Sequence, residues 1–295
     1  NCKIDVRCHK EVNSNKENIQ VYVDVTKFNE FTQETDGGAI YIKNAALKVN
    51  KSDFTRCKST KGGGGAIYCE NEFEITNTYL IENIRFRKCE AQYGGAVYLY
   101  SSSMKVDAQI LRCDFRENQC NGPKGAPENK FGGSALYLSV YKGNVDLCNF
   151  IDNKGYGGIW KVINNFPETE SLLRTLSFES VSFESVLISN CQFKTNKNDD
   201  CAVFYLGGLN GPQFEFVNCV FFGQLSKNSH YIDGQNDEYN KLVIKSCRFA
   251  SDSNKAFNKN LVASIDMKSQ VFQKNDAKMW KIIYTLVLPI VGTVA

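Results

Sequence analysis

Five prolines, three methionines, two tryptophans and two histidines in 295 residues withhold the raw material of several protein classes. His9 and His230 stand in polar surroundings with no matching Ser or Cys motif, so no nucleophilic triad can be argued. A charge surplus is also missing: Lys and Arg number 35 against 32 Asp and Glu, spread along the chain. That balance argues against a dedicated nucleic-acid partner. No uncharged run reaches the roughly 20 residues of a membrane-spanning helix. The nearest candidate, IIYTLVLPIVGTVA at 282–295, follows Met279-Trp280-Lys281. It reads as the start of a transmembrane helix over 279–295, with Trp280 and Lys281 as interfacial anchors, or else as an apolar cap on the last repeat.

What the chain has is β-forming and repetitive. Twenty Phe and 14 Tyr favour strands over a helical bundle, and 42% hydrophobic residues supply a core. The phrase Gly64-Gly65-Ala66-Ile67-Tyr68 recurs at Gly37 to Tyr41, at Gly94 to Tyr98 and, with Ser134 inserted, at Gly132 to Tyr137. Worn copies stand at Gly157-Gly158-Ile159-Trp160 and Cys201-Ala202-Val203-Phe204-Tyr205. A second phrase ends at Phe28, Phe54, Phe86, Phe115, Phe150, Phe193, Phe221 and Phe249, with a frayed ninth copy ending at Phe272. Five residues before each of the eight is Val, Ile or Phe; two before stand Thr26, Ser52, Ile84, Cys113, Cys148, Cys191, Cys219 and Cys247.

Alternate strand residues share a face, so each Phe and the residue two before it point the same way. The three-residue step back to the apolar position breaks that alternation and predicts a bend. A second bend follows Phe, where Asn118, Asn153, Asn196, Cys57 or Cys89 stands three residues on. With the Gly-Gly strand, each repeat supplies three short strands and three bends. No such repeat buries its inner face alone; stacking does. The expected fold is all-β: a single-stranded, right-handed parallel β-helix, a pectate-lyase-like solenoid of about eight or nine coils and roughly 40 Å in length. Residues 1–20 read as an N-terminal cap and 21–275 as the β-helix, interrupted by insertions at 118–131, 162–185 and 223–241.

The Phe-x-x-Asn and Gly-Gly-Ala-Ile motifs, as at Phe150 to Ile159, resemble the repeats of chlamydial polymorphic outer-membrane proteins and of similar surface proteins in parasitic protists. The resemblance implies a cell-surface β-helical ectodomain of a membrane protein, engaged in adhesion to a host- or cell-surface protein or a glycan. No autotransporter barrel is visible, so the single-span protist type fits better.

Twelve cysteines point to an oxidising compartment. The column Cys113, Cys148, Cys191, Cys219 and Cys247 reads as stacked core thiols, with disulfides between neighbouring coils as the alternative. Cys57 with Cys89, and Cys2 with Cys8, are the disulfide candidates. Tyr41, Tyr68 and Tyr98 are expected to form an exposed, possible glycan-facing ladder, since Ile67 facing inward turns Tyr68 outward. Asn50-Lys51-Ser52 is a glycosylation sequon whose Ser52 sits in an inward column. The other function considered is a polysaccharide lyase or hydrolase, which needs clustered carboxylates; only Asp199 and Asp200 are adjacent aspartates. The glycines at 62–65 lack the Lys-Ser/Thr of a nucleotide loop, and no cofactor or zinc motif is present.

Overall fold

The computed structural model describes residues 4–7, 19–72, 76–101, 106–122, 132–155, 160–162, 186–195, 204–206, 213–223, 230–234, 241–250, 256 and 271–272. Every strand pairing among them is parallel, and the strands stack coil upon coil as a β-helix. The first sheet holds eight strands, from Ile4–Arg7 through Ile40–Lys43, Ile67–Asn71, Val97–Ser101 and Leu136–Ser139 to Ile232–Gly234. The second also holds eight, from Gln20–Asp24 to Lys241–Lys245; the third holds nine, from Lys27–Asn29 to Val271–Phe272.

A fourth sheet of five two-residue strands, from Thr32–Gln33 to Lys154–Gly155, corrects the three-strand repeat. Among the described residues, coils complete in all four sheets therefore number five, against the eight or nine expected; beyond them the stack continues on the first three sheets. Ile4–Arg7, assigned to the cap by sequence, is itself a strand in register with Ile40–Lys43.

The repeat columns become the core. Phe28, Phe54, Phe86, Phe115, Phe150, Phe193, Phe221 and Phe249 pair in register and are buried. Their rings form one stack with centroids 4.6 to 5.2 Å apart. Val23, Val49, Ile81, Ile110, Val145, Ile188, Phe216 and Ile244 line the second sheet's inner face. The frayed ninth copy is placed by the register Phe249↔Phe272.

The bend between the second and third sheets is a left-handed residue in every coil: Val25, Lys51, Asn83, Arg112, Leu147, Asn190, Asn218 and Ser246, with φ between 45° and 56°. Such a conformation costs an L-residue about 1–2 kcal/mol. The ladder offsets it, because these N–H groups donate to the next coil, as from Asn83 to Leu111 O at 3.0 Å. Glu30, Arg56, Lys88, Glu117 and Asp152 repeat the device after the first five Phe.

Gly64 and Gly65 serve different ends. Gly64 has φ +62, and a Cβ there would meet Ile67 O at 2.1 Å; a Cβ on Gly65 would meet Gly95 O of the neighbouring coil at 2.2 Å. The first glycine turns the chain and the second lets coils approach. In the Gly133 copy, which has φ +76, Ser134 occupies the second-glycine position and Gly132 is the extra residue.

Candidate functional site

Three groups of chemistry-bearing side chains stand out: the thiol columns, the tyrosine ladder and the polar cluster beside it. Cys113, Cys148, Cys191, Cys219 and Cys247 lie two residues before the stacked Phe and are buried free thiols. Each S–H reaches two carbonyls at the corner, as for Cys113 with Leu111 O at 3.2 Å and Ile81 O at 3.5 Å. Ser52 fills the same position and donates to Asn50 O at 2.8 Å. Except at Ile84, the column therefore holds small side chains whose S–H or O–H donors occupy corner carbonyls, which accounts for Cys, Ser and Thr there.

Cys57 and Cys89, the leading disulfide candidates, are free thiols in the structure and share a column with Asn118 and Asn153. Asn153 Oδ1 accepts from the Asn118 backbone N–H at 2.9 Å, and Asn118 Oδ1 accepts from the Cys89 N–H at 3.0 Å. The slot after Phe is thus an inward hydrogen-bonding position, which a buried thiol fills as a small apolar side chain. Burial pushes the Cys69, Cys89, Cys113 and Cys191 thiols well above their ordinary range, making them poor nucleophiles. Cys2 and Cys8 lie outside the described residues, as do Asp199, Asp200, His9, Asn196, Cys201 and the 279–295 segment. No helix among the described residues is long and apolar enough to cross a membrane.

The tyrosine ladder exists, but its exposure is corrected. Tyr41, Tyr68, Tyr98 and Tyr137 stack with centroids 5.4, 4.7 and 4.4 Å apart. Tyr41, Tyr68 and Tyr137 are buried and Tyr98 is half-buried. Alternation gave the outward direction correctly, yet neighbouring turns close over the rings. Tyr93, which the motifs did not single out, meets Tyr98 edge-on at 5.0 Å and donates its O–H to Asp36 at 3.0 Å. Asp36 also accepts the Gly63 N–H at 2.7 Å.

Beside the ladder, Lys43 Nζ lies 2.8 Å from Glu72 and 3.7 Å from Glu70. Burial raises the Glu70 pKa, against the opposing charge of Lys43. The bond to Glu72 raises that of Lys43. Burial, reinforced by the charge of Asp36, holds the Tyr68 and Tyr93 phenols well above their usual range, so both stay neutral. The group can donate and accept hydrogen bonds, but neutral phenols and a lysine-paired carboxylate do not assemble an acid–base couple. Among the described residues no three His, Cys, Asp or Glu side chains converge as a metal set. The sequence reading missed Asp36, Glu70 and Tyr93, because none of them repeats from coil to coil: Glu70 stands in register with Lys43 and Tyr100, and Tyr93 with Gly63.

Asn50 of the sequon belongs to a corner ladder: its amide donates to Asp24 at 3.1 Å, and its oxygen accepts from Asn83 at 3.0 Å. Ser52 is buried. Comparison with protein-family models, curated proteins and solved structures gives no match to this chain. The likeness to polymorphic outer-membrane-protein repeats accordingly rests on the motifs.

Proposed function

We propose that this chain is a non-enzymatic cell-surface protein, a β-helical shaft that presents insertions for adhesion to a host- or cell-surface protein or glycan. One observation carries the reading: where the chain varies in length. Between the second and third sheets every coil spends two residues, from Val25-Thr26 to Ser246-Cys247, and between the third and fourth again two. Among the described strands, the connections that vary in length border the first sheet: the longest are 121–135, 196–203 and 224–231 before its strands, and 72–76, 102–105, 163–185, 207–212 and 235–240 after them.

Solenoids concentrate insertions on the face that meets partners, while the shaft keeps its register. The stacked Phe and corner ladders are compatible with a stiff support. Repeat motifs and the apolar 282–295 run support anchorage at a cell surface. The test replaces 163–185 by a two-residue connection like Asn44-Ala45. The unaltered chain binds cells; the variant keeps its strand circular dichroism and loses binding. A folded variant that binds as before would refute the reading.

A further inference from the structure

One corner of the coil carries a single chemistry without interruption. Cys113, Cys148, Cys191, Cys219 and Cys247 stand just before the third sheet in consecutive coils. The residues that follow them pair in direct register: Asp114↔Asn149, Asn149↔Gln192, Gln192↔Val220 and Val220↔Arg248. All five cysteines are buried, and none is in a disulfide. Each side chain is in hydrogen-bonding contact with the thiol of the next coil, so the sulfurs form one continuous row. Cys148 Sγ also accepts the backbone N–H of Cys113 at 3.4 Å, a donor that favours a thiolate.

Closing this corner does not require sulfur. Thr26 and Ser52 hold the same position in the first two coils and donate hydroxyls to Asp24 O and Asn50 O at 2.9 and 2.8 Å. Filling the space does not require it either, since Ile84 stands there, buried, in the third. What an unbroken run of cysteines adds is sulfur next to sulfur. Parallel coils repeat at about 4.8 Å. A metal–thiolate bond is about 2.3 Å long, so a cation in line between two sulfurs holds them about 4.6 Å apart. The next sulfur along the row is about 9.6 Å away, two coil spacings, and cannot join the same ion. That geometry rules out a tetrahedral zinc cage and leaves two soft ligands on opposite sides of one ion.

We propose that the thiol column binds Cu(I) in linear two-coordinate sites, each ion held between the sulfurs of adjacent coils. Every Cu(I) displaces two S–H protons and leaves a bis-thiolate centre; no electron is exchanged. Five sulfurs at two per ion give two sites and one spare thiol. This role is independent of the contact role assigned to the insertions. The row also fixes which cysteines matter. Cys113→Ser leaves the adjacent pairs Cys148–Cys191 and Cys219–Cys247 and keeps both ions. Cys148→Ser leaves one usable pair and loses one ion. Cys148→Ser with Cys219→Ser leaves three thiols, no two of them in adjacent coils, and loses both.

The test unfolds the full chain and these variants in urea, reduces them, and refolds them anaerobically with Cu(I) and a competing Cu(I) chelator, so that metal meets the thiols before the column closes. Copper per chain is counted after desalting, and strand circular dichroism with matched urea midpoints of the metal-free proteins confirms folding. Cys57 and Cys89, which are also in contact, are present in every variant and cancel from the differences. The unaltered chain and Cys113→Ser carry two more copper ions than the double variant, Cys148→Ser carries one more, and X-ray absorption of the unaltered chain finds two sulfur neighbours per copper. Zn(II) in place of Cu(I) gives no difference between the unaltered chain and the double variant. The proposal is overturned if the double variant holds as much copper as the unaltered chain, if Cys113→Ser loses as much as the double variant, if each copper has three or four sulfur neighbours, or if zinc shows the same differences as copper.

Discussion

Removing one ring from the middle of the phenylalanine stack tests whether that stack holds coils together. Phe86 is fully buried, with Phe54 at 5.1 Å on one side and Phe115 at 4.8 Å on the other. Phe86→Ala is expected to cost about 3–5 kcal/mol, the transfer loss plus an incompletely collapsed cavity. Phe86→Leu keeps most of the volume but forfeits two stacked contacts of roughly 0.5–1.5 kcal/mol each, so about 1–3 kcal/mol. Because each coil touches only its neighbours, the mid-stack loss weakens two interfaces at once. Urea unfolding followed by circular dichroism and tyrosine fluorescence reads the midpoint and slope. Phe86→Ala costing less than about 1 kcal/mol would refute the idea that the ring column carries coil-to-coil stability.

Other expectations concern the corners, the polar cluster and the thiols. Val25 is a β-branched residue at φ 48 and 73% exposed, so Val25→Asn is expected to raise stability by about 1 kcal/mol; Gly64→Ala is expected to lower it in the same urea assay, since its Cβ would meet backbone at 2.1 Å. Glu70 has its folded pKa raised by burial, so it binds its proton more tightly folded than unfolded. The stability it contributes is present below the unfolded carboxylate pKa and lost as pH rises through the folded value. Glu70→Gln should therefore stabilise at pH 7, with the gain fading below the ordinary carboxylate range, as read from midpoints across pH. Cys57, Cys89 and the five-thiol column should resist iodoacetamide in the folded protein and react after unfolding; mass mapping that finds Cys57 bonded to Cys89 would contradict the free-thiol corner.

The phenylalanine, aliphatic and thiol columns were legible in the sequence because each repeats one chemical type at a fixed offset, and inward positions tolerate little else. The bend before Phe was legible from the broken alternation. Its left-handed backbone was not, since Val25 and Leu147 adopt it against their own preference and only the coil-to-coil ladder holds them there. The fourth sheet was hidden by its length: Lys58–Ser59 or Glu90–Ala91 offers two residues and no periodicity. Alternation told that Tyr68 points out of the coil but not that adjacent turns cover it, so its burial and the Tyr93–Asp36 bond were beyond sequence reasoning.

The central claim, a regular shaft whose irregular edge makes the contact, is tested most directly by measuring cell binding of the variant in which 163–185 is replaced by a two-residue connection. Retained strand signal and an unchanged urea midpoint with binding lost is the predicted result. Binding at the level of the unaltered chain, by a variant folded to the same stability, would contradict it.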